Sequence, residues 1–410
     1  MLGRLLALAL ALLLAVPFGP AAAEAMHLSV PGSSAQTAED LTEACTVTCN
    51  VRENVFRLTD GKFKQAYEGR HHQENWIEIA APEGKRIGGI YLLWTSKTVP
   101  VSLDVWNEAD QVFEPFEEIN RGEYLHEFWR VDGAQRVRLR SLDASGSLPV
   151  TEITVLSEGS LPSWVQVWEP PCRDADLMVY LAHPDDEYLF FGGTIPYYAV
   201  ERGLHVAVVY MTCRNDTRLH ELLNGLWTAG VREYPHLMGF IDKTQTLKAS
   251  TTYKQWGGED VALDAFAAIV DELKPSVVVT HDLGGEYGHG AHMAVADTAL
   301  RVIRDGERAL DWQPSKLYLH MWEENQVAMD WTQPLDVFGG QSSLDIASAA
   351  FQCHESQRGF SVKMKNGKKY RFEVVAGGPL DNGAFGLAYS SVGPDEEKND
   401  FMEHVTPKAR

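Results

Sequence analysis

Between residues 51 and 156 the chain alternates apolar and polar side chains in short runs, among them Trp76-Ile77-Glu78-Ile79, Val101-Ser102-Leu103-Asp104-Val105-Trp106, Arg136-Val137-Arg138-Leu139 and Glu152-Ile153-Thr154-Val155. Successive side chains of a strand point to opposite faces, so a period of two predicts strands with one buried face. Turn residues separate these runs, and the more apolar Ile90-Tyr91-Leu92-Leu93-Trp94, at the spacing of a β-sandwich. After Cys172 the pattern changes. Continuous apolar runs at 177–181, 206–211 and 277–279 alternate with helical stretches at about 193–202, 218–229 and 261–273. Strands buried on both faces and separated by helices predict an open, mostly parallel, Rossmann-like α/β sheet. The fold expectation is an all-β sandwich followed by an α/β domain.

The N-terminus reads differently from either. Arg4 precedes an apolar run at 5–16, too short to span a bilayer, followed by Pro17, Pro20 and the small residues Ala21-Ala22-Ala23. This predicts a cleavable export signal over 1–23 and a secreted or periplasmic protein. The remaining organisation is a linker at 24–50, the sandwich at 51–158, a Pro-containing linker at 159–174, the α/β domain at 175–360 and a C-terminal extension of that domain at 361–410. Later segments are not long and apolar enough to predict a membrane span. With 57 acidic against 36 basic side chains in 410 residues, the net charge of −21 argues against nucleic acid or an anionic membrane surface as partner. Export permits disulfides; Cys45 and Cys49 are near enough in sequence for a tight loop, and Cys172, Cys213 and Cys353 are far apart.

Ligands of an open α/β sheet bind beyond the carboxyl ends of its strands. The run 177–181 leads directly into Ala182-His183-Pro184-Asp185-Asp186-Glu187, and the run at 277–279 into His281-Asp282-Leu283-Gly284-Gly285-Glu286-Tyr287-Gly288-His289-Gly290-Ala291-His292. His183 and Asp186 are three apart, as are His289 and His292, so each pair can aim at one ion. Two histidines and a carboxylate from two strand ends make a His/Asp/His site, and catalytic zinc commonly keeps three protein ligands and an open position. Taken singly, a His-x-x-His on a helix is usually a hydrogen-bonded pair, and Asp-Asp-Glu after a strand a solvated turn or helix cap. It is their convergence in one sheet that points to a metal.

These two runs together resemble the PIG-L/LmbE-like family of zinc-dependent N-deacetylases over about residues 175–360, with further matches at Arg218, Glu221 and His354-Glu355-Ser356-Gln357. The resemblance implies that His183, Asp186 and His292 bind Zn2+, that Asp185 is the general base, and that His289 stabilises the oxyanion or protonates the leaving amine. Tyr287 would help polarise the amide carbonyl and Arg218 would contact substrate. Ala291 departs from members with Asp or Asn between the histidines, and Cys213 departs from their acidic or Gly-rich turn. In the sandwich, Leu58-Thr59-Asp60-Gly61, then Trp76, a strand ending at Trp94, and the strands at 136–139 and 152–155 resemble galactose-binding-like (discoidin-type) modules, which often bind glycans.

The expected chemistry is hydrolysis of the acetamido group of an N-acetylated, GlcNAc-type sugar to acetate and a free amine. Trp256 and Trp322 are candidate sugar platforms, with core packing as the alternative; Trp76, Trp94, Trp106 and Trp129 are more simply sandwich core. His281-Asp282 could brace the site, whereas His71-His72 have no second ligand set. Asn215-Asp216-Thr217 matches a glycosylation sequon by chance. Two other readings compete: a zinc amidase for a non-sugar or thiol conjugate, and a glycan-binding protein whose catalytic domain has decayed.

Overall fold

The alternating half of the chain folds as two antiparallel sheets packed face to face. A computed structural model describes residues 36–409 except 64, 71–72, 96–97, 120–123, 214, 243–245 and 365–366. The expected export signal and His71-His72 lie outside the described residues. The strands are β1 (Thr46–Cys49), β2 (Trp76–Ala80), β3 (Ile87–Trp94), β4 (Val101–Asn107), β5 (Val112–Ile119), β6 (His126–Ala134), β7 (Arg136–Ser141) and β8 (Val150–Ser157). They pair as β1-β2-β7-β4-β5 and β6-β3-β8. Ile77, Ile79, Leu103, Val137 and Leu139 from one sheet meet Ile90, Leu92, Trp129, Ile153 and Val155 from the other in a common core. Each such fully buried side chain contributes about 1.5–3 kcal/mol of transfer free energy.

Three expectations change here. Residues 37–50 are not linker: β1 pairs with β2, the Ala38 N–H donates to Ser160 O at 2.9 Å, and the Leu41 N–H donates to Val155 O at 2.8 Å. Main-chain pairing, which composition does not reveal, draws this Ser/Thr-rich stretch into the sandwich. Cys45 and Cys49 lie along one extended run, roughly 13 Å apart at ~3.3 Å per residue, too far for a disulfide. Trp94 and Trp129 are core, but Trp76 and Trp106 stand on the outer face beneath Arg138 and Arg136, whose guanidinium carbons sit 4.8 and 4.2 Å from their ring centroids.

The α/β domain follows in the order β9 (Leu177–Leu181), α1 (Asp186–Leu189), β10 (Val206–Thr212), α2 (Asp216–Thr228), β11 (His236–Phe240), α3 (Ala249–Gln255), α4 (Glu259–Leu273), β12 (Val277–Thr280), α5 (Gly290–Ile303), β13 (Lys316–His320), β14 (Gln326–Ala328) and α6 (Ser343–Phe351). A small hairpin, β15 (Ser361–Lys363) with β16 (Lys369–Arg371), precedes β17 (Ala384–Ser390). The sheet order is β11-β10-β9-β12-β13-β17-β14, with the first five strands parallel and the last two joined antiparallel. Buried on both faces, β9, β10 and β12 carry the continuous apolar runs that such a position demands. The helix expected at 193–202 is a wide π turn over Pro196–Glu201, closed by the Arg202 N–H on Tyr197 O at 2.9 Å. The C-terminal extension supplies β17, which the alternation at 369–375 did not foretell; only Lys369–Arg371 of that run is strand.

The linker and the two units pack together. Trp168 of the linker and Tyr124 and Leu125 of the sandwich share one apolar cluster with Trp227 and Tyr234 of the α/β domain. At the same contact His126 of β6 and His220 of α2 meet ring to ring, Nε2 to Nδ1, at 2.8 Å.

Candidate metal and catalytic site

The strand order reverses between β9 and β12, and the polar residues that follow these two strands converge at that switch point. After β9, Asp185 adopts φ 101°, a left-handed backbone that costs a non-glycine residue about 1–3 kcal/mol. After β12, Glu286 does the same at φ 54°, beside Gly285, where a Cβ would meet His289 O at 2.4 Å. These tight turns aim His183 and Asp186 from one strand and Glu286, His289 and His292 from the other into one buried volume.

Asp186 lies at the centre. Its carboxylate accepts the His183 N–H at 2.7 Å and stands 3.3 Å from His183 Nδ1, 3.4 Å from His292 Nε2 and 3.3 Å from His281 Nε2. Burial works to raise its pKa, yet His292 and His281 hold it well below the carboxylate range. Ring nitrogens of His183, His289 and His292 lie within 4.8 Å of one another. His292 Nε2 and His289 Nδ1 are buried without a hydrogen-bond partner. An orphaned His292 Nε2 beside the charged Asp186 carboxylate, with the His183 and His289 rings within reach, is what a bound cation would satisfy, so the residues present fit a metal ion. The other nitrogens are already held, His183 Nε2 by Asp242 at 3.0 Å and His292 Nδ1 by Glu286 at 2.6 Å, the outer carboxylates that orient ligating histidines. Ala291 is buried in the apolar cluster that packs α5, and Glu286 braces His292.

Asp185 does not face the ring cluster alone. Arg218 Nη2 donates to its Oδ1 at 2.5 Å and also to Pro184 O. Burial pushes the Asp185 carboxyl up to about 6, against the pull of Arg218. Arg218, expected to reach substrate, bonds Asp185 through Nη2, with a side chain 13% exposed and Nε without a hydrogen-bond partner. His289 is driven well below the imidazole range by burial and then by His292 and His183, so it is neutral. Tyr287 stacks on the His289 ring at 5.6 Å, and burial followed by Asp186 and Asp185 keeps its phenol protonated.

The remaining motif residues form a second layer. Asp185 N–H donates to Glu187 Oε2 at 2.8 Å, and His354 donates to Glu187 Oε1 at 2.9 Å. Glu221 accepts both the N–H and the hydroxyl of Ser356, at 2.8 and 2.6 Å. Sequence reasoning missed Asp242, Glu286 and His320, whose Nδ1 is 3.1 Å from Glu286. The two tryptophans are not brought to the cluster. Trp256 is 4% exposed and packs on Phe240 and Tyr253, which leaves no free ring face and removes it as a sugar platform. Trp322 lines a separate cavity of about 270 Å³ with Met321, Gln326 and Lys398 at the β14–β17 edge. Asn215 caps α2 by accepting the Arg218 N–H at 3.1 Å.

Fold and site together define an α/β protein with a buried His/Asp cluster able to hold a cation at the switch point of its sheet. Residues 178–303 match the family model described as PIG-L, GlcNAc-PI de-N-acetylase, and form a PIG-L domain. The 1D-myo-inositol 2-acetamido-2-deoxy-alpha-D-glucopyranoside deacetylase of Mycolicibacterium smegmatis is 29% identical over 167 residues, 35% of this chain and 58% of that protein. Its namesake in Mycobacteroides abscessus is 33% identical over 168 residues, again 35% and 58%, and that of Mycolicibacterium vanbaalenii 29% over 225 residues, 45% and 77%. The chain thus spans 58%, 59% and 62% of the first three such relatives. Among solved structures, CpGH89CBM32-6 of Clostridium perfringens aligns with TM-score 0.26 and 16% identity over 29% of this chain and 100% of that one. Chitosan-binding module 1 of the Paenibacillus sp. IK-5 chitosanase/glucanase aligns with TM-score 0.25 and 15% identity over 28% and 98%.

Proposed function

We propose that this protein is an exported zinc-dependent de-N-acetylase of an N-acetylated, GlcNAc-type sugar, with the ion held by His183, Asp186 and His292. The observation that carries the reading is the buried cluster itself: unpartnered imidazole nitrogens around Asp186, with a second carboxylate, Asp185, beside it in the chain and raised to about 6. The PIG-L domain match supports an amide of an amino sugar as the bond cleaved. Zinc, when bound, lowers the pKa of water and polarises an amide carbonyl.

The chain's own groups supply the rest. Asp185 takes the proton of the attacking water at a carboxylate oxygen, and its pKa near 6 lets it carry that proton on to the departing nitrogen. Arg218 orients Asp185 and keeps its pKa from rising further. Neutral His289 and the protonated Tyr287 donate hydrogen bonds to the oxygen on which charge develops. This favours oxyanion stabilisation by His289 over delivery of a proton from a cationic ring, since a nearby cation depresses an imidazole pKa further. The sandwich acts as a glycan contact that holds the enzyme near its substrate, and residues 1–23 direct export.

The test is to incubate the zinc-loaded protein with a panel of N-acetylated saccharides and measure new primary amine and acetate. Asp185→Asn should keep its zinc and lose about 10²–10⁴-fold in turnover. No amine from any saccharide would defeat the proposal, and loss of zinc with the Asn variant would remove Asp185 as base.

A further inference from the structure

The catalytic candidates sit at the carboxyl ends of the parallel strands; a second set of ligand-type side chains sits at their amino ends. Cys172 precedes β9, His205 immediately precedes β10, and Glu233 precedes β11, three strands that are neighbours in the sheet. One ligand atom from each, a thiol sulfur, an imidazole nitrogen and a carboxylate oxygen, lies within 4.8 Å of the others. His205 Nδ1 and Glu233 Oε1 are already 3.2 Å apart. Cys172 is 4% exposed and unpaired. β9 is five residues long, so at about 3.3 Å per residue this cluster lies roughly 17 Å or more from His183 and Asp186.

We propose that Cys172, His205 and Glu233 form a second metal site, one that takes a zinc-type divalent cation and fastens the inter-domain linker to the base of the catalytic sheet. Sulfur, nitrogen and oxygen donors together suit zinc, whereas calcium and magnesium select oxygen alone. The backbone that presents the donors is fixed before any ion arrives. Glu169 N–H donates to Arg232 O at 2.8 Å and Tyr234 N–H to Glu169 O at 3.0 Å, which ties the linker to the Glu233 turn. His236 Nε2 donates to Cys172 O at 2.8 Å. The His205 N–H donates to Asp176 Oδ2 at 3.0 Å, while the Asp176 and Leu177 N–H groups donate to His205 O at 2.9 and 3.2 Å. A tetrahedral zinc with bonds of about 2.0–2.3 Å draws its ligand atoms to about 3.5 Å apart. Rotation of His205 and Glu233, whose side chains are 38% and 27% exposed, supplies that contraction.

Sulfur distinguishes this site from the catalytic one, whose candidate ligands are all imidazole and carboxylate. The metal-free full chain is titrated with Co(II) and its near-ultraviolet spectrum recorded, with bound metal per chain measured separately after zinc loading. The expected result is a thiolate-to-cobalt charge-transfer band that persists in His183→Ala and disappears in Cys172→Ser. Cys172→Ser and His205→Ala should each hold one zinc fewer per chain than the parent and still release amine from a saccharide that the parent deacetylates. Should Cys172→Ser fail to fold, His205→Ala and Glu233→Gln at the exposed rim carry the same comparison. No band in the parent, a band that survives Cys172→Ser, or an unchanged zinc content in His205→Ala overturns the second site and leaves the deacetylase reading untouched.

Discussion

Two regions of this molecule concentrate charge, and they treat it in opposite ways. On the outer face of the sandwich, Arg136 and Arg138 share Glu78, lie over Trp106, Trp76 and Phe113, and keep side chains 32% and 28% exposed. At the switch point of the α/β sheet, Asp186, Glu286, His281 and His292 have side chains no more than 4% exposed, and two ring nitrogens of the neighbouring imidazoles have no partner. The first network is partly wet, with each charge ion-paired; the second is dry. Burying ionised groups costs several kcal/mol each, so a dry cluster of carboxylates and imidazoles is far more costly to assemble than a solvent-exposed one. That difference, rather than the number of charges, marks the site.

Removing the centre of the dry network should have the largest effect. Asp186→Ala takes away the carboxylate that His183, His281 and His292 share, so bound zinc and turnover should both vanish, read by metal analysis and amine release. Asp186→Ala that retains stoichiometric zinc would sink the ligand assignment. Glu286→Gln comes next. It keeps the shape but weakens the hold on His292, so zinc affinity should fall about 10–100-fold in a chelator competition, with a smaller change in turnover at saturating zinc. An unchanged affinity would mean that His292 needs no outer carboxylate.

Much of this contrast was legible in the sequence, because the burial that shapes each sheet is a local pattern. Period-two alternation identified the sandwich strands and unbroken apolar runs the parallel ones, and the residues after Leu181 and Thr280 stood out as too polar for their position. Asp242 left no such mark: it follows β11 in a polar stretch, and only the tertiary fold brings it to His183. Arg218 was recognised, but charge type says only that it binds an anion and did not foretell its bond to Asp185. Trp256 was ambiguous because an aromatic side chain at a helix end serves a core or a platform equally well. β17 was invisible because antiparallel insertion beside β13 depends on a chain reversal some 60 residues later.

The contact between the sandwich and the α/β domain should respond to acid by a moderate amount. His126 and His220 are buried against each other, with Tyr91 Oη 2.7 Å from His126 Nδ1 and Phe63 stacked on His220. Burial lowers His220 to about 4, with Asp216 opposing, and burial and then His220 hold His126 well below 6.5. Both rings are therefore neutral in the folded protein at neutral pH. Between pH 6.5 and about 4 the unfolded chain binds protons that the folded one refuses, so stability falls as pH drops through that window. The thermal midpoint should decline across it, and His220→Gln, with one titrating ring fewer, should flatten the decline. A slope that His220→Gln leaves unchanged would place the acid response elsewhere.

The smallest effect should come from the wet network, where the same kind of charged residue does different work. Arg138→Ala removes an ion pair to Glu78 at 2.9 Å and stacking on Trp76 and Phe113 at 4.8 and 3.9 Å. Exposed ion pairs contribute about 0–1 kcal/mol, and a partly exposed cation–π contact adds about 0.5–1 kcal/mol. Glu78 keeps Arg136 as a partner, so no buried charge is stranded. The unfolding free energy from a denaturant titration should fall by about 1 kcal/mol, and turnover on a small soluble N-acetylated sugar should not change. A loss of several kcal/mol would show that the outer face is a buried network like the one at the switch point, and a loss of turnover on a small sugar would tie that face to the catalytic cluster. Either result would break the distinction between a solvent-exposed charge network and the buried one at the switch point.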